Sequence, residues 1–394
     1  MTKYNLPVGP QHPALKEPAS FWFKVEGEVI VDVDIRLGYN HRGIEKACES
    51  RNYIQCLYLL ERICGICSHA HTTAFAQGVE EILGLEIPAR AKYIRVIIAE
   101  LERIHSHLLW LGVAGHEIGF DTLFMYAWRD RETVLDILEL ISGNRVNYAM
   151  NTIGGVRRDI DQAKREQILG MLDPLAERVK FYTDLVTSEP TCLARLENVA
   201  PVPADKAVAL GTVGPTARAS GIKVDVRRDD PYAAYAEIPF EVITSERGDL
   251  LGRAIVRLGE IGESVKIIKY ALQNLPEGPL TVKAPRKVAA GEAVSRVEAP
   301  RGEDIHYVRA DGSDHPERVK VRAPTLANLF AVGESMKGAY VADIPIVIAS
   351  IDPCFSCTDR MIELVQSRTG TSSVMTWEEL REYGIRWYGH GHRS

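Results

Sequence analysis

The sequence predicts an α+β chain: a large helical core, with small antiparallel β-sheets built from its N-terminal and C-terminal regions. Three observations carry this expectation. Apolar and polar residues alternate from Phe21 to Leu37. Over long stretches between about 88 and 274, apolar residues recur every three or four positions. Alternation then returns from 279 to 323. A period of two marks a half-buried strand, and a period near 3.6 marks an amphipathic helix. No period of 20 to 50 residues repeats, which argues against a solenoid.

Taken in order, "FWFKVEGEVIVDVDIRL" (21–37) alternates about a Glu-Gly turn and reads as a β-hairpin. Helical spacing takes over from about Ile44 to Leu83. The stretch "PARAKYIRVIIAELERIHSHLLWLG" (88–112) opens with Pro and closes with Gly, as a helix should. Further helices are expected at about 121–140, 158–187 and 247–274. Between the last two, "VGPTARASGIKVDVRRDDPYAAY" (213–235) is rich in Gly and Pro and reads as loop. Residues 279–323 are strand-like, broken by turns at "APRGED" and "ADGSD". The apolar run "IPIVIAS" (344–350) reads as a buried strand, and one short helix is expected near 376–383. The expected division is a hairpin segment (1–43), a helical core (44–278), a β segment (279–360) and a tail (361–394).

Composition narrows the function. The 394 residues are 46% hydrophobic and 25% charged, with a formal net charge of −6. Mild acidity gives no broad basic surface, so nucleic acid is not an expected partner. No apolar run reaches the roughly 18 to 20 residues that a bilayer span needs. The start, "MTKYNLPVGPQHP", lacks the apolar stretch of a secretion signal, which predicts a cytoplasmic chain with reduced thiols. Seven cysteines, an odd count, also argue against a disulfide framework.

Four of those cysteines form two C-x-x-C pairs: Cys64 with Cys67, and Cys354 with Cys357. Such spacing lets two thiolates reach one ion. A four-thiolate zinc site usually separates its pairs by about 15 to 20 residues. Here residues 68–353 intervene, and closing that longer loop costs roughly 2 kcal/mol more. Apparent zinc affinities of about 10 to 16 kcal/mol would absorb such a cost. A thioredoxin-like redox pair needs a βαβ unit, and none precedes Cys64. The cysteines by themselves leave zinc open. Cys48, Cys56 and Cys192 lack paired spacing and read as small buried hydrophobes.

The flanking residues carry a resemblance. "RICGICSHAH" (62–71) with "DPCFSCTDR" (352–360) resembles the large subunit of nickel–iron hydrogenases. "RLGYNHRGIE" (36–45) and "EAPRGEDIHY" (298–307) look like the same family. "VGPQHPALKEP" (8–18), "ERIHSHLLWLG" (102–112) and "VRAPTLANL" (321–329) are similar to its energy-converting, membrane-associated branch. That branch is related to the quinone-site (49-kDa type) subunit of respiratory complex I, which lacks the four cysteines. The resemblance runs over residues 4–360.

It implies a catalytic subunit interconverting protons, electrons and H₂ at a nickel–iron centre, its iron carrying CO and CN ligands. Cys64 and Cys354 would be terminal nickel ligands, and Cys67 and Cys357 would bridge the two metals. A fold that unites both ends of the chain would then explain the long separation. Glu17 matches a glutamate that passes protons to and from a bridging cysteine, although a solvated surface carboxylate is the commoner fate of Glu. Arg301, with Pro300 in "APRG", matches an arginine above the open metal face; a loop salt bridge is its ordinary alternative. Asp352 would join that canopy, and Asp-Pro is also a common turn opener. His71 resembles a histidine that donates to a bridging sulfur. Glu45 matches a carboxylate sometimes found on a divalent ion such as Mg. His12 matches a quinone-contacting histidine but reads here as a loop residue, and His69, His105 and His107 read as core histidines.

The implied partners are a small subunit with a 4Fe–4S cluster, a ferredoxin-like electron carrier and membrane ion-pumping subunits, at the cytoplasmic side of the membrane. A maturation protease and nickel-insertion proteins are implied as well, with 361–394 a peptide cut off after Arg360. The rival expectation is a non-catalytic complex I-like scaffold subunit with a structural zinc site.

Overall fold

A computed structural model describes residues 3–358, 361–365 and 370–389. The proposed cut after Arg360 falls outside the described residues. The chain opens with β1 (Lys3–Val8), β2 (Ser20–Glu26) and β3 (Val29–Arg36), an antiparallel sheet in that order. Along β2 the predicted alternation is explicit: Phe21, Phe23 and Val25 are buried, while Trp22 and Lys24 face outward.

Helices follow: α1 (Ile44–Cys48), α2 (Tyr53–Glu61), α3 (Ser68–Leu83), α4 (Ala89–Glu117) and α5 (Asp121–Ser142). Asn52 and Gln55 close a reciprocal capping box at the start of α2. Gly84, at φ 62°, ends α3 in the left-handed conformation that lacks a Cβ penalty. Helix α4 is the axis of the molecule: Ile94, Ile97, Ile98, Leu101, Ile104 and Leu108 are all fully buried. It lies tightly on α5, where a Cβ added to Gly112 would run into the Trp128 ring.

A two-stranded ribbon of β4 (Asn151–Thr152) and β5 (Gly155–Val156) leads to α6 (Gln162–Ser188) and α7 (Pro190–Leu196). The segment expected to be loop at 213–235 instead holds α9 (Gly214–Arg218) and α10 (Val226–Asp229), after α8 (Ala204–Ala209). These helices have five and four residues, too short to leave a periodic signal. Helix α11 (Leu250–Gln273), capped by Asp249, packs along α4 and α6. The second sheet is β6 (Gly291–Ala299), β7 (Gly302–Ala310) and β8 (Pro316–Arg322), antiparallel and laid on α3.

Then come α12 (Pro324–Met336), α13 (Ile344–Ala349) and the single turn α14 (Phe355–Thr358). Helix α13 corrects the expected strand at 344–350. Pro345 sits in its first turn, where its missing N–H costs nothing, and a 3₁₀ turn at Val341–Asp343 feeds into it. A six-residue apolar run cannot be told apart by periodicity alone. The tail forms an antiparallel ribbon, β9 (Met361–Val365) and β10 (Ser372–Thr376), followed by α15 (Trp377–Gly389). Arg381 of α15 pairs with Asp34 of β3 at 3.1 Å. The architecture is the α+β arrangement read from the sequence.

Two large apolar clusters result, beside a small one of Val202, Ala207 and Ala331. One gathers α4, α5, α6, α11 and the inner face of the first sheet. The other gathers α2, α3 and the second sheet, and all four paired cysteines belong to it. Among the described residues, no helix is long and apolar enough to cross a membrane.

Candidate metal centre

The first pair is fixed from both sides. Two guanidinium nitrogens of Arg42 donate to the carbonyls of Arg62 (2.8 Å) and Ile63 (2.6 Å), immediately before Cys64. Cys67 is the N-cap of α3 but makes no side-chain cap. The orphan N–H groups of that helix are served by a neighbour: Glu102 of α4 accepts from His69 N at 2.7 Å and Ala70 N at 3.0 Å. Burial pushes Glu102 up to about 8, against the lowering effect of those N–H groups. His71, four residues after Cys67, shares its helical face.

The second pair rests on α14. Cys354 N donates to Thr325 Oγ1 at 3.1 Å, and Thr358 Oγ1 returns to Cys354 O at 2.7 Å. One helical turn places Cys354 and Cys357 side by side, with sulfurs 2.9 Å apart. Cys67 Sγ lies 3.6 Å from Cys357 Sγ. The sulfurs of Cys64, Cys354 and Cys357 fall within 4.8 Å of one another. The two ends of the chain therefore meet, and all four thiols are buried.

Such a cluster is electrically frustrated without a cation, because crowded thiolates resist joint ionisation. Hydrogen bonds from Cys354, Cys357 and Cys67 draw Cys64 well below the ordinary thiol range. Burial drives Cys357 well above it. Four soft, buried sulfur donors suit zinc, nickel or iron far better than Mg or Ca. The donor set fits the implied nickel–iron group.

Arg301 reaches this cluster from the tip of a hairpin. Ala299 pairs with Gly302, so Pro300 and Arg301 are the two turn residues between β6 and β7. Arg301 Nε donates to Asp352 O at 2.5 Å and Nη2 to Asp352 Oδ1 at 2.9 Å. Asp352 sits at φ 53°, a left-handed conformation that costs roughly 1–2 kcal/mol for an L-residue. Its other oxygen accepts from Ser106 Oγ at 3.2 Å. Burial opposes the charge of Arg301, but Asp352 and the sulfurs of Cys64, Cys354 and Cys67 hold its pKa well above the ordinary value.

The hairpin is pinned from beneath. Arg103 of α4 donates to Glu298 O (2.7 Å) and Ala299 O (3.3 Å), and Arg218 holds the Glu298 carboxylate at 2.8 Å. Arg218 also meets Glu260 at 2.8 Å, which in turn contacts His107 at 2.9 Å. Beside the tip, the backbone of Gly214 touches that of Gly302. A Cβ on Gly214 would lie 2.5 Å from Arg301 O, and Gly214 has φ +63°. Only glycine fits there.

Glu17 accepts from Ser356 N (2.9 Å) and Ser356 Oγ (2.8 Å), and its Oε1 lies 4.0 Å from Cys354 Sγ. This corrects the expectation that it would adjoin a bridging cysteine. Ser356 ties the carboxylate beside the first cysteine of the pair, a terminal ligand in the implied scheme. Glu17, Cys64, Cys354, Arg301 and Trp110 border one cavity of about 310 Å³. His71 Nε2 lies 3.3 Å from Cys357 Sγ.

Glu45 stands apart from the thiols, in a separate small cavity shared with Arg42 and Ser356. Its oxygens meet Lys320 Nζ at 3.2 Å and Val321 N at 2.9 Å. A divalent ion there would have to displace the lysine. His12 is exposed in a turn, where its ring accepts from Ala14 N. His69, His105 and His107 are buried, each with a polar partner. Cys48, Cys56 and Cys192 are buried outside the cluster. Sequence reasoning did not single out Arg42, Glu102, Ser106, Thr325 or Ser356. All five lie inside the quoted motifs, but an ordinary polar or charged residue gives no sign of being turned inward.

Known proteins resemble this chain along its length. Residues 117–289 and 281–360 match the family described as the respiratory-chain NADH dehydrogenase 49 Kd subunit. Residues 42–112 match nickel-dependent hydrogenase. The membrane-bound hydrogenase subunit alpha of Pyrococcus furiosus is 46% identical, over 97% of this chain and 92% of its own. The carbon monoxide-induced hydrogenase of Rhodospirillum rubrum is 41% identical, over 91% of this chain and all (100%) of its own. Among solved structures, a chain of the membrane-bound sulfane sulfur reductase, an archaeal respiratory membrane complex, superposes with a TM-score of 0.87. It is 33% identical, covering 91% of this chain and 98% of that one.

Proposed function

We infer the function from one premise: the chain belongs to the family that joins nickel-dependent hydrogenases to the 49 Kd subunit of respiratory-chain NADH dehydrogenase. On that footing it is the catalytic large subunit of an energy-converting nickel–iron hydrogenase, interconverting protons plus electrons and H₂. The observation that carries this reading is the convergence of Cys64, Cys67, Cys354 and Cys357 in one buried cluster beneath Arg301.

Cys64 and Cys354 would hold nickel terminally, with Cys67 and Cys357 bridging to an iron that bears CO and CN. The group would supply a redox store and a Lewis acid for polarising hydrogen. Arg301 contributes a fixed positive charge at the cavity wall, and its buried Nη1 makes no hydrogen bond within the described residues. Glu17 would exchange a proton with Cys354 Sγ through Oε1, and Ser356 keeps that oxygen in place. Asp352 holds Arg301, and His71 supports Cys357. Glu45 would hold a divalent ion such as Mg only by giving up its pairing with Lys320.

Electrons would leave through a small subunit with a 4Fe–4S cluster and a ferredoxin-like carrier. Ion-pumping membrane subunits would anchor the assembly at the cytoplasmic face. A protease and nickel-insertion proteins would complete maturation.

One observation favours a second reading. The solved relative is part of a sulfane sulfur reductase, and Cys354 and Cys357 are close enough to act as a dithiol. Metal analysis of the purified complex, with assays for H₂ and for sulfide release, separates these readings. Nickel in the complex together with H₂ turnover supports the hydrogenase. Sulfide release without H₂ turnover supports the reductase, and zinc without either activity supports the scaffold.

A further inference from the structure

His71 reaches beyond the sulfur it touches. Its Nδ1 lies 3.0 Å from Asp304 Oδ2 and 3.1 Å from His306 Nε2, and His306 Nε2 lies 3.2 Å from the same Oδ2. All three side chains are 1% exposed or less. Asp304 and His306 stand two apart on β7, so both face α3, where His71 occupies the first turn.

A fully buried carboxylate is costly unless donors or cations compensate it. Among the described residues, no lysine or arginine pairs with Asp304. Its short contacts are with the two imidazoles, as bent ion-pair approaches rather than straight hydrogen bonds. Its folded pKa lies far below the usual carboxylate range; burial opposes this, and His71 and His306 outweigh burial. An imidazole held at one nitrogen can still swing about that contact. Asp304 Oδ2 and His306 Nε2 both crowd Nδ1, at 3.0 and 3.1 Å, which confines the ring and leaves Nε2 facing Cys357 Sγ.

We propose that Asp304 and His306 are positioning residues that lock the His71 ring onto Cys357 Sγ, and so govern how firmly that sulfur keeps its metal. The inference rests on the reading of Cys357 as a metal ligand. Residues behind a metal ligand commonly change metal retention by about 10–100-fold when removed.

The test is the rate at which the purified, assembled complex loses its metal to a chelator. Wild type, Asp304→Ala, Asp304→Asn, His71→Ala and the Asp304→Ala/His71→Ala double variant are compared, with circular dichroism as a check of folding. Asp304→Ala should lose metal about 10–100-fold faster. The double variant should lose it no faster than His71→Ala, because Asp304 acts through that ring. If Asp304→Ala fails to accumulate, the near-isosteric Asp304→Asn carries the same comparison. Wild-type retention in Asp304→Asn and Asp304→Ala, or additive losses in the double variant, would overturn the proposal. The ion followed is whichever the wild type holds. Zinc in place of nickel would therefore sink the hydrogenase reading while leaving this test intact.

Discussion

Arg301 grips Asp352 twice, through Nε on its main-chain oxygen and Nη2 on its carboxylate. The contact spans residues far apart in sequence and holds Asp352 at its positive φ. A lysine keeps the charge but has no planar fork. Arg301→Lys should therefore lower hydrogen turnover by orders of magnitude while nickel and iron stay bound. Losing a charged hydrogen bond of this kind should also cost roughly 1.5–3 kcal/mol of stability. Activity, metal content and a denaturation curve on one preparation check both parts.

The sulfur of Cys357 touches those of Cys67 and Cys354 and the ring of His71. A hydroxyl is a poor substitute for a soft thiolate shared between metals. Cys357→Ser is expected to abolish activity and reduce bound nickel. Full activity in that variant would sink the four-cysteine assignment.

Glu17→Gln preserves the shape held by Ser356 but removes the titrating carboxylate. Turnover should fall severely, with both metals retained. Exchange between H₂ and deuterated water reads the proton step directly. A normal exchange rate would remove Glu17 from the proton route.

Glu102 gives a pH dependence. Its pKa is raised by burial from 4.5 to about 8. Between those values the folded state holds a proton that the unfolded chain has lost, so stability falls as pH rises through the window. His69 beside it is held down to about 3 by burial, and stays neutral throughout. Replacing Glu102 with Gln should flatten that part of the stability–pH curve. Denaturant unfolding at pH 5.5, 7 and 8.5 measures it, and an unchanged slope would refute the assignment.

The tail offers a mass measurement. Helix α14, which bears Cys357 and directly follows Cys354, ends two residues before the proposed cut after Arg360. A segment carrying two ligands must stay open during metal loading and then close, and an attached tail can hold it open. Intact-mass spectrometry of the active, nickel-replete enzyme should find a chain ending at Arg360. A full-length active chain would refute processing.

Much of the fold was legible because its elements are long. The β2–β3 hairpin and helices α4, α6 and α11 run far enough for their periods to declare themselves. What escaped was short or was set by tertiary contact. Helix α13 is six residues of nearly uniform apolarity, and α9 and α10 are single turns within a Gly- and Pro-rich stretch. The paired cysteines announced themselves by spacing. The second layer did not: Glu102, Asp304 and Arg218 look in sequence like any surface charge, yet each is almost completely buried. Their roles come from which partner the fold brings to them. Even Glu17, which its motif singles out, takes its place near Cys354 from Ser356, a tie that the motif does not show.

The contact between Gly214 and Gly302 has a bearing on tolerances. Side chains give way by changing rotamer, whereas two main chains in contact have no such slack. The hairpin tip that carries Arg301 thus rests on one side against main chain, with no room for a Cβ between the two segments. A single methyl group on either glycine would act as a shim, prising the hairpin tip away from Asp352 while every chemically active group stayed in the sequence. A segment without one ligand to its name is therefore the gauge block of the centre.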